Sequence, residues 1–235
     1  MSINLYLAMT AAEFSSAEKL PPKIGWMACH FSCYGTNLTN LPTTLPEGSM
    51  VIINDCTPPN GHDEQKILQQ LTGLAQQFSV SRFLLDFQRP GCEETASLAN
   101  TLVQALPCPV AVSDIYGRDL CCPVFLPPPP LHTPLQKYLA PWKGREVWLD
   151  AAIGQETLTV TEKGCQISEQ TLPNGLEFPF EEEKLHCQYH TQIQSDRVIF
   201  TLNRDHKQLD GLLQEAESLG ITTAVGLYQQ LKAPG

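Results

Sequence analysis

No apolar run in the chain approaches the ~18 residues that cross a bilayer, and its start, Met1 to Met9, has neither a basic region nor an apolar stretch of signal-peptide length. The expectation is a soluble cytoplasmic protein with no membrane partner. Basic residues are few and scattered: 15 Lys and Arg stand against 25 Asp and Glu, a formal charge of −10. That balance repels a nucleic-acid backbone, so nucleic acid is not an expected partner. Glycine-rich phosphate loops are missing as well. No Gly-x-Gly-x-x-Gly or P-loop follows an early apolar run, and no cofactor is expected.

Cysteine is plentiful, but its pattern excludes a disulfide scaffold. The nine cysteines are odd in number and unevenly spaced, which fits a reducing compartment. Cys29 and Cys33 flank His30, and Cys121 adjoins Cys122. On an extended strand Cys29 and Cys33 would lie ~13 Å apart, too far to share an ion, and the same distance separates His186 from His190. No metal site is expected. A thiol nucleophile, Cys56 after Asp55 or Cys29 beside His30, would need a positioned base; a small buried hydrophobe is the simpler state of each.

What the chain does have is 235 residues, 42% of them hydrophobic, enough for one large domain with its own core. Short apolar runs rich in β-branched and aromatic residues occur at Ile24 to Phe31, Met50 to Asp55, Phe83 to Phe87, Val110 to Asp114, Pro123 to Leu126, Glu146 to Leu149, Val198 to Leu202 and Thr223 to Leu227. They read as strands buried on both faces of a parallel sheet. Helical spacing follows three of them. Ile67, Leu68, Leu71, Leu74 and Phe78 form one stripe behind Asp63-Glu64; Glu93 to Leu106 forms another; Asp205 to Leu219 forms a third, with Gly220 as its C-cap.

Eight strands with interleaved helices predict an irregular (β/α)8 TIM-like barrel of the α/β class spanning 1–235. Gly35 to Ser49 and Tyr116 to Cys122 are too short or too turn-rich for full helices. Between the sixth and seventh runs the texture changes. Thr157 to Thr161, the turn Glu162-Lys163-Gly164 and Cys165 to Ser168 read as a hairpin, and Leu185 to Ile193 alternates, so residues 154–195 are predicted as a small antiparallel β insertion. Pro127 to Pro130 predicts a rigid loop over the barrel mouth, beside Tyr138 and Trp142.

Barrels carry their chemistry at the C-terminal strand ends. There the sequence offers His30 and Tyr34, Asp55, Asp86 and Gln88, Asp114 and Tyr116, Asp150, and Tyr228. Asp86 and Gln88, two residues apart, would share a face of one strand. Carboxylates ringed by aromatics suit a sugar site, since acids handle hydroxyls while rings cover a pyranose. The candidate catalytic residues are Asp86, Asp55 and Asp114; the candidate ligand-binding residues are Gln88, His30, Tyr34, Tyr116, Asp150 and Tyr228. Aspartates at strand ends also cap the following helix.

Phe83-Leu84-Leu85-Asp86-Phe87-Gln88 resembles the fourth-strand motif of the chitinase-like family 18 glycoside hydrolases, in which an apolar strand ends in Asp-x-Glu and the Glu protonates the leaving group. The late insertion and the closing Ile221 to Tyr228 resemble that family's layout, without its usual final-strand Trp. The motif falls on the third run here, Phe83 and Leu84 stand where the signature has an upstream Asp, and Gln88 replaces the acid. Asp86 alone carries over, as the carboxylate that would orient a substrate acetamido group. Non-catalytic relatives with such a Glu-to-Gln replacement make a degenerate barrel that binds a small ligand or glycan the expected function. An active hydrolase, in which Asp55 or Asp114 supplies the acid beside Asp86, and a structural assembly protein are the alternatives. Oligomeric state is open.

Overall fold

A computed structural model describes residues 3–32, 37–57, 61–168 and 175–232. In chain order the first elements are β1 (Asn4–Met9), α1 (Ala11–Ser16), β2 (Ile24–Phe31), β3 (Leu38–Thr39), β4 (Met50–Asn54), α2 (Glu64–Phe78), β5 (Arg82–Asp86), α3 (Glu93–Ala105), β6 (Val110–Ser113), α4 (Asp114–Gly117) and β7 (Val124–Leu126). There follow α5 (Leu135–Leu139), β8 (Val147–Asp150), β9 (Gly154–Thr161), β10 (Gly164–Ser168), β11 (Phe180–Glu182), β12 (Cys187–Ile193), β13 (Arg197–Arg204), α6 (His206–Ser218), β14 (Thr223–Leu227) and α7 (Tyr228–Leu231). No described helix is long and apolar enough to cross a membrane.

Eight parallel strands, β1, β2, β4, β5, β6, β7, β8 and β14, close into a barrel through the β1–β14 and β1–β2 pairings, with β3 added antiparallel to β2. The (β/α)8 architecture expected from the sequence is therefore present. All eight strands lie in one compact unit, Asn4–Pro127, Gly144–Asp150 and Thr222–Gly235. Strand alternation sorts its side chains into two layers. Tyr6, Ala8, Met50, Ile52, Leu84, Ala111, Phe125, Trp148 and Val225 fill the barrel interior. Residues of opposite parity, including Val51, Ile53, Phe83, Leu85 and Val112, pack outward against Ile67, Leu71, Leu98 and Leu102 of α2 and α3.

One strand expectation is corrected. Val198–Leu202 belongs to β13, in the antiparallel sheet, and β1 supplies the eighth barrel strand. β13 is buried only toward its end, and a helix and a parallel strand follow it, so locally it imitates a βαβ unit. Counting β1, the Phe83–Asp86 run is the fourth barrel strand rather than the third.

Two of the longer helices begin where side-chain oxygens meet their free N–H groups: Asp63 accepts from Lys66 N at 3.1 Å ahead of α2, and Asp205 from Lys207 N at 2.7 Å ahead of α6. Gly220 follows α6 at φ 89°, a left-handed conformation that glycine adopts without strain. Gly25 sits where the barrel interior is tight. A Cβ there would stand 2.9 Å from Ile52 Cδ1 inside the barrel.

The second compact unit comprises Met1–Ile3, Pro128–Lys143 and Ala151–Ile221. Its five-stranded antiparallel sheet runs in the order β10-β9-β13-β12-β11, and Leu131, Cys187 and Leu202 form a small core. Arg204 lies buried there, donating to the backbone carbonyls of Pro129, Leu185 and His186. Pro129 is thus tied to the sheet, and Glu156 adds to the tie by accepting from Leu131 N at 3.0 Å while pairing with His132 at 2.7 Å.

Candidate functional site

Which residues face the barrel mouth follows from register. Ile52 and Leu84 are paired neighbours in the interior, and two residues on, Asn54 pairs with Asp86, so both point inward at the C-terminal end. His30 pairs with Asn54 across β2 and β4, which continues the row to three adjacent strands. Asp150 follows interior Trp148 by two residues and shares that orientation on β8.

Gln88 Nε2 donates to Asp86 Oδ1 at 2.5 Å. Burial raises the Asp86 carboxyl above its ordinary range, the Gln88 bond opposes this, and the Asp55 charge adds to the rise. Asp150 is pushed up further, to about 7, first by burial and then by the charge of Asp86. Three polar groups, Asp86, Gln88 and Asp150, therefore form an electrostatically connected set at the mouth. It offers a carboxamide, a carboxylate and a carboxyl that is about half protonated near neutral pH.

The other candidates divide. Asp55 has the opposite parity to Asn54 and is only 3% exposed. Its two oxygens accept the backbone N–H groups of Gln88 at 2.9 Å and Arg89 at 3.0 Å, so it holds the segment that carries Gln88. Arg89 returns the tie by donating to the Cys56 carbonyl. Tyr116 donates its hydroxyl to the Arg89 carbonyl and accepts Cys92 N at 3.3 Å, a clamp on the same loop. Asp114 opens the single-turn α4. Tyr228 packs against the outer hydrophobic layer, with Lys232 Nζ 5.8 Å from its ring centre. Tyr34 lies outside the described residues, as does Cys33.

Sequence reasoning missed Asn54 and Ser113. Asn54 Oδ1 accepts Cys56 N at 3.2 Å, and buried Ser113 donates to the Phe87 carbonyl at 2.5 Å, fixing the backbone between Asp86 and Gln88. Each is the polar residue that closes an otherwise apolar strand, which is the signal that could have found them. No group of three metal-ligating side chains occurs among the described residues.

No family model matches the chain, and no curated protein does. Solved structures do. A family 18 N-acetylglucosaminidase from Paenibacillus barengoltzii matches at a TM-score of 0.61 with 10% identity, over 98% of this chain and 96% of its own. A family 18 chitinase from Cycas revoluta, solved in complex with (GlcNAc)3, matches at 0.58 with 10% identity, over 97% and 96%. The chitinase-like agglutinin of Robinia pseudoacacia matches at 0.56 with 9% identity, over 94% and 93%. The chain has the chitinase-like barrel fold. At such identities the likeness speaks for fold alone. Within that fold, the Asp86-x-Gln88 pair ends the fourth barrel strand, the place its resemblance to the family motif requires.

Proposed function

We propose that this chitinase-like barrel binds a glycan at its C-terminal mouth without hydrolysing it. One observation carries the reading: the amide of Gln88, which stands where the resembled family motif has its Glu, is engaged with Asp86 at 2.5 Å. A carboxamide has no proton to give a leaving group, but it donates and accepts hydrogen bonds to sugar hydroxyls or an acetamido group. Asp86 orients the ligand, and His30, Asn54 and Asp150 supply further polar partners from adjoining strand ends. Asp55 and Tyr116 serve the site indirectly, by holding the loop behind Gln88.

The test is calorimetric titration of N-acetylglucosamine oligomers alongside a turnover assay with chromogenic derivatives, for the wild type and Gln88→Glu. Binding without turnover in the wild type, and turnover gained in Gln88→Glu, is the expected result. Absence of binding in both forms would sink the glycan reading.

A second reading, hydrolysis, is favoured by the Asp150 carboxyl, which at about 7 remains partly protonated near neutral pH, as a general acid must be. It predicts turnover by the wild type that Asp150→Asn abolishes. Asp55 is poorly placed for that role, since both its oxygens are already occupied by backbone donors.

A further inference from the structure

The two edges of the antiparallel sheet are built differently. β11 is three residues long and carries Glu181 and Glu182; Glu181 is held by Lys207 Nζ at 3.1 Å and Gln208 Nε2 at 3.2 Å. Short length and charge are how sheets blunt an edge against foreign strands. β10 has neither protection. Its five residues, Gly164-Cys165-Gln166-Ile167-Ser168, are all exposed, uncharged and free of proline, and among the described residues β10 pairs on one side only, with β9.

The hairpin determines which backbone groups point outward. Its loop is the two residues Glu162 and Lys163, so Thr161 and Gly164 end a β-turn and form a hydrogen-bonded pair. By alternation Gln166 and Ser168 also bond toward β9, while Cys165 and Ile167 turn their N–H and C=O groups away from it. The side chains of Cys165 and Ile167 share one face of the sheet, opposite Val160 and Leu158, and that row continues to Val198 and Phe200 on β13. Ile167 is 52% and Val160 39% exposed, so this apolar row runs out to water at the β10 edge.

We propose that β10 pairs antiparallel with β10 of a second copy of this chain, about a two-fold axis through Gln166, joining two five-stranded sheets into one. The strand is complementary to itself in that register. Cys165 of one copy faces Ile167 of the other in both directions, and each pair exchanges the two bonds that its outward N–H and C=O groups can make. Gln166 meets its own equivalent in the closer, non-hydrogen-bonded position. No like charges are brought opposite one another within the strand, and the side chain of Ile167 gains an apolar neighbour on its open side.

Sedimentation equilibrium of the full chain in reductant tests the pairing. The expected mass doubles as concentration rises. Ile167→Pro removes one outward donor at a position where an edge strand tolerates proline, and it should give a monomer whose circular dichroism matches the wild type and whose melting matches it at concentrations where the wild type is also monomeric. Gln166→Cys should form a disulfide-linked dimer under mild oxidation, well above the wild-type background and mapped to residue 166 in both chains, because opposed non-hydrogen-bonded residues have Cα atoms about 4.5 Å apart. A wild type that stays monomeric at every concentration, a dimer that survives Ile167→Pro, or no 166–166 link would each overturn the proposal.

Discussion

Asp150, at the end of β8, is held protonated to about pH 7 by burial and by the charge of Asp86 at the end of β5. The consequence for stability has a definite sign. The folded-state value lies above the ordinary 3.8 of an unfolded aspartate, so between about pH 4 and 7 the folded form retains a proton that the unfolded chain has lost. Stability from this group is full below pH 4 and declines as pH rises through 7, by roughly 4 kcal/mol at most. Asp150→Asn should therefore change stability little at pH 4 and raise it at pH 8, flattening the profile. Urea denaturation at a series of pH values measures this, and a variant profile parallel to the wild type's would contradict it.

The two bonds from Asp55 to the backbone of Gln88 and Arg89 predict a different pattern. Asp55→Ala removes the acceptor of two N–H groups in a buried place, and the expected loss is about 3 kcal/mol. Asp55→Asn keeps one acceptor oxygen and should lose less. Because Gln88 is positioned by this carboxylate, both variants should also weaken oligosaccharide binding, Asp55→Ala the more. Equal stability of Asp55→Ala and the wild type would show that the carboxylate is not what fixes the loop.

The roles of Asn54 and Asp55 illustrate what sequence could and could not reveal. The barrel was legible because its strands are buried on both faces and read as unbroken apolar runs, and the stripes of α2 and α3 were equally plain. That same continuity hides register. With Met50 to Ile53 all buried, nothing in the run says which parity faces inward, and a carboxylate at its end is as visible as the asparagine before it. Pairing with Asp86 decides the matter, and pairing is a property of the neighbouring strand. The Asp86 and Gln88 relationship was legible because both lie on one segment. The coupling of Asp86 to Asp150, 64 positions further along the chain, depends on barrel closure.

Tyr116 separates a stacking ring from a loop clamp. Its hydroxyl donates to Arg89 O and accepts Cys92 N–H, so Tyr116→Phe should cost about 1 kcal/mol while leaving the ring in place. Oligosaccharide affinity of the folded variant should fall only slightly, less than in Asp55→Ala, because Asp55 still holds the backbone of Gln88. A large loss of affinity with unchanged stability would instead assign the hydroxyl to the ligand.

Arg204 makes the last prediction, and it concerns the second compact unit. The side chain is 2% exposed and its guanidinium donates to three carbonyls: Pro129 at 2.9 Å, His186 at 3.3 Å and Leu185 at 3.4 Å. Arg204→Leu would leave those acceptors without a donor in a buried setting, whereas Arg204→Lys keeps a charge but not the planar fork that reaches all three. Burial already lowers the affinity of this guanidinium for its proton, so the carbonyls offset part of the cost of keeping it charged there. The expected loss is about 3 kcal/mol for Arg204→Leu and less for Arg204→Lys. Hydrogen exchange can locate it: protection should fall in residues 128–143 and 185–204, where the arginine's partners lie, and remain in β4, β5 and β6 of the barrel. Loss spread evenly through the barrel strands would mean that the two units unfold as one, and that Arg204 supports the whole chain rather than the sheet and the proline segment it joins.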